Sequence, residues 1–147
     1  MPDRRYRAIS ETRLKDFNDQ FHIDAIRSAA PAARTRIRDA AAEAGLSCDA
    51  LCDLEVAVGE AISNAILYGS METGAHVRVR CWGSEDLDTF CVEITDTGAG
   101  FNPADFASPA CSEDIGGRGL SIMRALVDDL QIQYNGHGMV VTLTKHG

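Results

Sequence analysis

The sequence predicts a single α/β domain, and three observations carry that reading. Apolar residues recur with a period near 3.6 over 51–66, the period switches to two over 77–95, and 147 residues suit one core. A chain of this size buries about two-thirds of the surface its unfolded form exposes, enough for a core without staples. Hydrophobic residues at 45% and charged residues at 24% exclude general disorder.

Residues 1–19 mix five basic and four acidic side chains with scattered apolar ones and read as a leader or short edge element. The domain proper is expected over 20–147. Phe21, Ile23 and Ala25 alternate, which predicts a strand over 21–26. Pro31 then suits a helical first turn, Ile37, Ala40, Ala41 and Ala44 recur at helical spacing, and Gly45 stops the run. Ser47 and Asp49 open a longer helix whose stripe is Leu51, Leu54, Val58, Ala61, Ile62, Ala65 and Ile66, with Gly69 at its end. Val77, Val79 and Cys81, then Phe90, Val92 and Ile94, alternate with more polar neighbours and predict two strands joined by the turn GSEDLD. Residues 97–119 are rich in Gly, Pro, Ser and Asp and too long for an ordinary connector, so a functional loop is expected. Leu120, Met123, Val127 and Leu130 mark a third helix face, and closing strands are expected at about 130–135 and 138–145.

A formal charge of -8 disfavours broad binding to nucleic acid or anionic lipid, both of which would repel the chain. No apolar run reaches the roughly 18 residues of a membrane span, and the first residues lack the apolar core of a secretory signal. A cytoplasmic location follows, with neither nucleic acid nor membrane as a direct partner. The five cysteines form no CxxC pair and read as reduced packing thiols rather than metal ligands.

Three segments combine polar chemistry with special backbone. Glu60 and Asn64 stand four apart on the long helix, which stacks a carboxylate and a carboxamide on one face, with Tyr68 one turn further. Asp96 continues the parity of Phe90, Val92 and Ile94, so its carboxylate points at the core and requires a donor, which a ligand amino group can supply. Gly98 and Gly100 follow it and permit a close backbone approach. Gly116, Gly117 and Gly119 flank Arg118 and lead into a helix at Leu120, where free N–H groups at a positive helix end suit phosphate. Each segment alone has an ordinary explanation: a solvated helix face, a strand-end turn, a flexible loop.

Taken together and in order, Glu60 to Asn64, Asp96 to Phe101 and Gly116 to Leu120 resemble the N, G1 and G2 boxes of the GHKL ATPases and kinases. The run GEAISNAILYG and the closing VVTLTK resemble the anti-sigma factor serine/threonine kinases within that superfamily. This resemblance covers about residues 20–145. It implies a two-layer Bergerat α/β sandwich, a mixed and mostly antiparallel sheet with helices on one face. It also implies that Asn64 binds the Mg²⁺ that bridges the ATP phosphates, and that Glu60 orients or deprotonates the attacking hydroxyl. Asp96 would accept the adenine amino group, Gly98, Gly100 and Phe101 would shape the adenine pocket, and a lid over about 101–116 would close on the triphosphate. Gly116, Gly117 and Gly119 would present backbone to phosphate, Arg118 positive charge, and Leu120 the start of the helix behind them. Two positions depart from the pattern: Tyr68 stands where relatives often carry His, and Met139 follows Gly138 where Thr is common.

The implied function is an ATP-Mg-dependent protein serine/threonine kinase that also acts as an anti-sigma factor. Its implied partners are a sigma factor and a STAS-domain anti-anti-sigma protein, and the resemblance allows a homodimer. A non-catalytic ATP-binding partner switch is the alternative, although such a module would need Asn64 and Asp96 but no base at Glu60. The catalytic domain of a histidine kinase ranks last, because His22, His76, His137 and His146 fall in expected strands, a turn and the tail rather than on a helical hairpin.

Overall fold

The computed structural model describes residues 14–69, 75–96, 117–134 and 138–147. Its sheet runs in the order β1-β2-β3-β5-β4, built from β1 (Phe17–Asp24), β2 (His76–Ser84), β3 (Thr89–Asp96), β4 (Asp129–Tyr134) and β5 (Met139–His146). Every described pairing is antiparallel, where the sequence led us to expect a mixed sheet. The β2–β3 and β4–β5 connections are too short for the crossover a parallel pair needs, and β1 and β5 also meet their neighbours antiparallel.

Strand β1 begins at Phe17, four residues before the expected start, and pairs along its full length with β2, from Phe17 opposite Gly83 to Asp24 opposite His76. Asp19 hid the alternation, being a charged residue in an inward-facing row. Arg36 makes it tolerable by donating from Nε and Nη2 to the two carboxylate oxygens, both at 2.9 Å, while its guanidinium lies 4.1 Å from the Phe21 ring centroid. Leu14, read from the sequence as part of a leader or short edge element, is fully buried.

A 3₁₀ turn over Arg27–Ala29 feeds α1 (Ala30–Ala44) with Pro31 in its first turn. Gly45 ends that helix at φ 105°, donating to the carbonyls of Ala41 and Ala42, a left-handed cap that glycine adopts without a Cβ clash. Helix α2 (Cys48–Gly69) starts with the Ser47 hydroxyl accepting from the Ala50 N–H at 3.3 Å. Helix α3 (Gly117–Leu126) begins inside the glycine cluster rather than after it.

The helices cover one sheet face. Leu54, Val58 and Ile62 of α2 are buried with Val79, Phe90, Val92, Ile94 and Leu143 of the sheet, each such side chain stabilising the fold by about 1.5–3 kcal/mol. Leu120 and Met123 of α3 join the same cluster. The opposite parity carries Asn18, Gln20, Arg78, Arg80 and Glu93, all partly or fully exposed. Cysteine behaviour splits accordingly. Cys81 is buried, and burial pushes its thiol up to about 11, whereas Cys48 and Cys52 are exposed on the first turns of α2 and are not the packing thiols expected.

Candidate functional site

Asp96 is the last residue of β3, and strand parity turns it inward as expected, leaving it 3% exposed. A protein donor meets it there. The backbone N–H of Met139, at the start of the adjacent β5, donates to Asp96 Oδ1 at 3.2 Å. Gly138 lies so close to this strand end that a Cβ would overlap the Asp96 carbonyl oxygen and fall 2.8 Å from Oδ1. Neither neighbour was assigned this role from the sequence. Only the pairing of β3 with β5 brings them together, and the Gly-Met dipeptide is the one signal that marked the spot. A carboxylate accepts through both oxygens, so a pinned Asp96 can still receive an amino group at a ligand's edge.

Helix α2 supplies the second cluster. Glu60 and Asn64 are both half-buried, and α3 passes in front of them with Gly119 facing both side chains. A Cβ on Gly119 would sit 2.9 Å from Glu60 Oε2 and 3.6 Å from Asn64 Nδ2, so only glycine lets the helices come this near without displacing the carboxylate. Leu120 is buried beside it, anchoring the turn that carries the glycines. Gly117 and Arg118 form the first turn of α3, and a helix leaves its first backbone N–H groups without an intrahelical partner at its positive end, which suits an anion. On the α1 side, Asn64 also borders a groove of about 390 Å³ lined by Arg27, Arg34, Gly59, Ser63 and Leu67 among others.

Of the residues the sequence singled out, the fold brings Glu60, Asn64 and Gly119 into one cluster, with Gly117 and Arg118 in the adjoining turn, and seats Asp96 inward at the strand end. Gly98, Gly100, Phe101, Gly116 and the expected lid lie outside the described residues, as do the side chains of Tyr68 and Arg118.

The chemistry of the donors fits a nucleotide and its metal. Asn64 offers a neutral amide oxygen of the hard kind Mg²⁺ takes, Asp96 is a buried acceptor, and Gly119 leaves the space in front of both α2 side chains free of a Cβ.

A helical layer on an antiparallel sheet, with an inward acid at a strand end and a glycine-started helix against a Glu/Asn face, defines a nucleotide-binding ATPase fold. The family described as histidine kinase-like ATPase domain matches residues 24–145, and this chain belongs to it. Serine-protein kinase RsbW of Listeria monocytogenes serovar 1/2a is 31% identical, the match covering 77% of this chain and 76% of that protein. Anti-sigma F factor of Thermoanaerobacter sp. is 26% identical, over 78% of this chain and 82% of its own. Among solved structures, the RsbU and RsbW domains of a Mycobacterium tuberculosis protein superpose with a TM-score of 0.65 at 24% identity, covering 87% of this chain, which spans about a third (32%) of that longer one. The SiaB-SiaC complex of Pseudomonas aeruginosa gives a TM-score of 0.60 at 12% identity, covering 96% of this chain and 95% of the other. The last two show the shared fold.

Proposed function

We propose that this protein is an ATP-dependent protein serine/threonine kinase that doubles as an anti-sigma factor, phosphorylating a STAS-type anti-anti-sigma partner in the cytoplasm. Kinase and anti-sigma activities are those of the named relatives and match what the sequence resemblance implies. One observation carries the site reading: Gly119 of α3 is held against both Glu60 and Asn64, so a phosphate-suited helix start faces a carboxylate and a carboxamide drawn from a segment more than 50 residues away.

In this reading Asp96, fixed by the Met139 N–H, receives the adenine amino group and so distinguishes adenine from guanine. The first N–H groups of α3 hold phosphate oxygens, with the Arg118 charge added. Asn64 would hold Mg²⁺, which when bound offsets and orients the phosphate charge. Glu60 orients the acceptor hydroxyl and takes its proton as the hydroxyl oxygen bonds to the γ-phosphorus and ADP departs. A phosphate on the partner then adds negative charge opposite a chain of net charge -8, which loosens their docking and frees the kinase for its sigma factor.

The test is incubation with γ-labelled ATP and candidate STAS proteins from the same genome. Wild type should label one of them, and Glu60→Ala should bind ATP normally yet lose transfer by about 10²–10⁴-fold, the range for a general base. ATP binding without labelling of any such partner favours the non-catalytic switch instead. Equal affinity for ATP and GTP would remove the Asp96 assignment.

A further inference from the structure

Helix α3 is fastened to α2 at both of its ends, and the far fastening has no role in the scheme above. At the near end Gly119 meets Glu60 and Asn64. At the far end the Lys145 ammonium, only 13% exposed, donates to the carbonyl oxygen of Leu126 at 2.7 Å and to Asp53 Oδ2 at 3.3 Å. Leu126 closes α3, so its carbonyl is one of those a helix leaves unpaired, and a cation there also complements the negative helix end.

The spacing is matched. Asp53 and Glu60 are seven residues apart on α2, as are Gly119 and Leu126 on α3, each interval spanning about 10.5 Å. Positions 53, 60 and 64 fall on one helix face, and the helices run antiparallel across it. Gly119 has no side chain with which to interlock, and Leu120 and Met123 hold α3 on the core through apolar contact, which is non-directional. The directional, polar fastening is at the far end. Besides Lys145, Asp128 just beyond α3 ties the same corner to β5, donating from its N–H to the Thr144 carbonyl and accepting from the His146 N–H.

We propose that Lys145 is a positioning residue for phosphate binding: by clamping the end of α3 to Asp53 and β5, it aims the glycine-bearing start of that helix at the nucleotide's phosphates. The inference rests on the nucleotide site proposed above and adds to it a residue at the opposite end of the helix. With that fastening lost the start of α3 can shift against α2, and a misplacement of about 1 Å caused far from the chemistry can cost up to about 100-fold. Adenine recognition is untouched, since Asp96 is held by strand pairing and the Met139 N–H.

The experiment is calorimetric titration of the full chain with ATP, ADP and adenosine. Lys145→Met should weaken ATP and ADP by about tenfold while adenosine binds as to wild type, and Lys145→Arg should restore most of the loss. Asp53→Ala, at a half-exposed position that leaves the Leu126 bond intact, should show the same pattern at smaller size. It keeps the test decisive should Lys145→Met fold poorly. An ATP affinity within twofold of wild type in both variants overturns the inference, as does an equal loss for adenosine, which marks general loosening. A wild type that binds no ATP overturns the nucleotide site itself, an outcome visible before any variant is made.

Discussion

The two ends of the site are built from different materials. Asp96 sits in a hydrogen-bonded sheet, fixed by the backbone of the neighbouring strand. Glu60 and Asn64 sit at a contact between two helices, where the missing side chain at Gly119 lets the two come close. The base end should therefore be rigid and intolerant of change. The phosphate end should tolerate change in stability but respond in activity, because a carboxylate on a helix surface can swing aside while a strand cannot.

Two measurements probe that contrast, and a third gives it a baseline. The largest stability effect belongs to Gly138→Ala. Its Cβ meets main-chain atoms of Asp96 that have nowhere to go, so overpacking of about 1–3 kcal/mol is expected. In a chain of this length that lowers the thermal midpoint by roughly 3–10 °C, and an unchanged melt would mean the strand end is as yielding as the helix contact. Gly119→Ala should behave oppositely. Its Cβ meets the far end of the Glu60 side chain, which can rotate away, and alanine gains up to about 1 kcal/mol over glycine in a helix. The melt should hold or rise slightly while phosphoryl transfer falls about tenfold, because the displaced carboxylate no longer lines up with the acceptor. A large drop in the melting temperature would show that the helix contact is stiff after all.

The smallest effect lies outside both ends. The Arg36 hydrogen bonds hold the Asp19 carboxyl below the usual carboxylate range. A depressed acid contributes stability above its unfolded value of about 3.9, and that contribution is lost as pH falls through the lower folded value. The pair is partly exposed, so the gain is small. Thermal midpoints of wild type and Asp19→Asn, compared at pH 5 and pH 2.5, should differ at the higher pH and draw together at the lower. A gap undiminished at pH 2.5 would show that the charge of Asp19 is not its source.

Much of the fold could be read locally, and the misreadings have identifiable causes. Gly45 and Ser47 marked helix ends because a left-handed cap and a hydroxyl cap depend only on neighbouring residues. The early part of β1 was obscured by Asp19, whose charge in an inward-facing row is paired with an arginine 17 residues away. Cys48 and Cys52 looked like packing thiols by composition, yet their helical position directs them outward. Helix α3 starts at Gly117, earlier than expected, because glycines are poor helix formers alone and the contact of Gly119 with α2 comes from a distant segment.

What the sequence determined by itself was periodicity: the stripe of α2 that sets Glu60 above Asn64, and the strand parity that turns Asp96 inward. Those follow from 3.6 and two residues per repeat, which any stretch of chain carries within itself. Tertiary structure alone decided that Met139 and Gly138 would brace Asp96 across 43 residues, that Gly119 would touch Glu60, and that Lys145 would reach Asp53 across 92. Such meetings depend on strand order and helix crossing, which are fixed by burying the whole apolar surface at once and leave no trace in any single window of sequence.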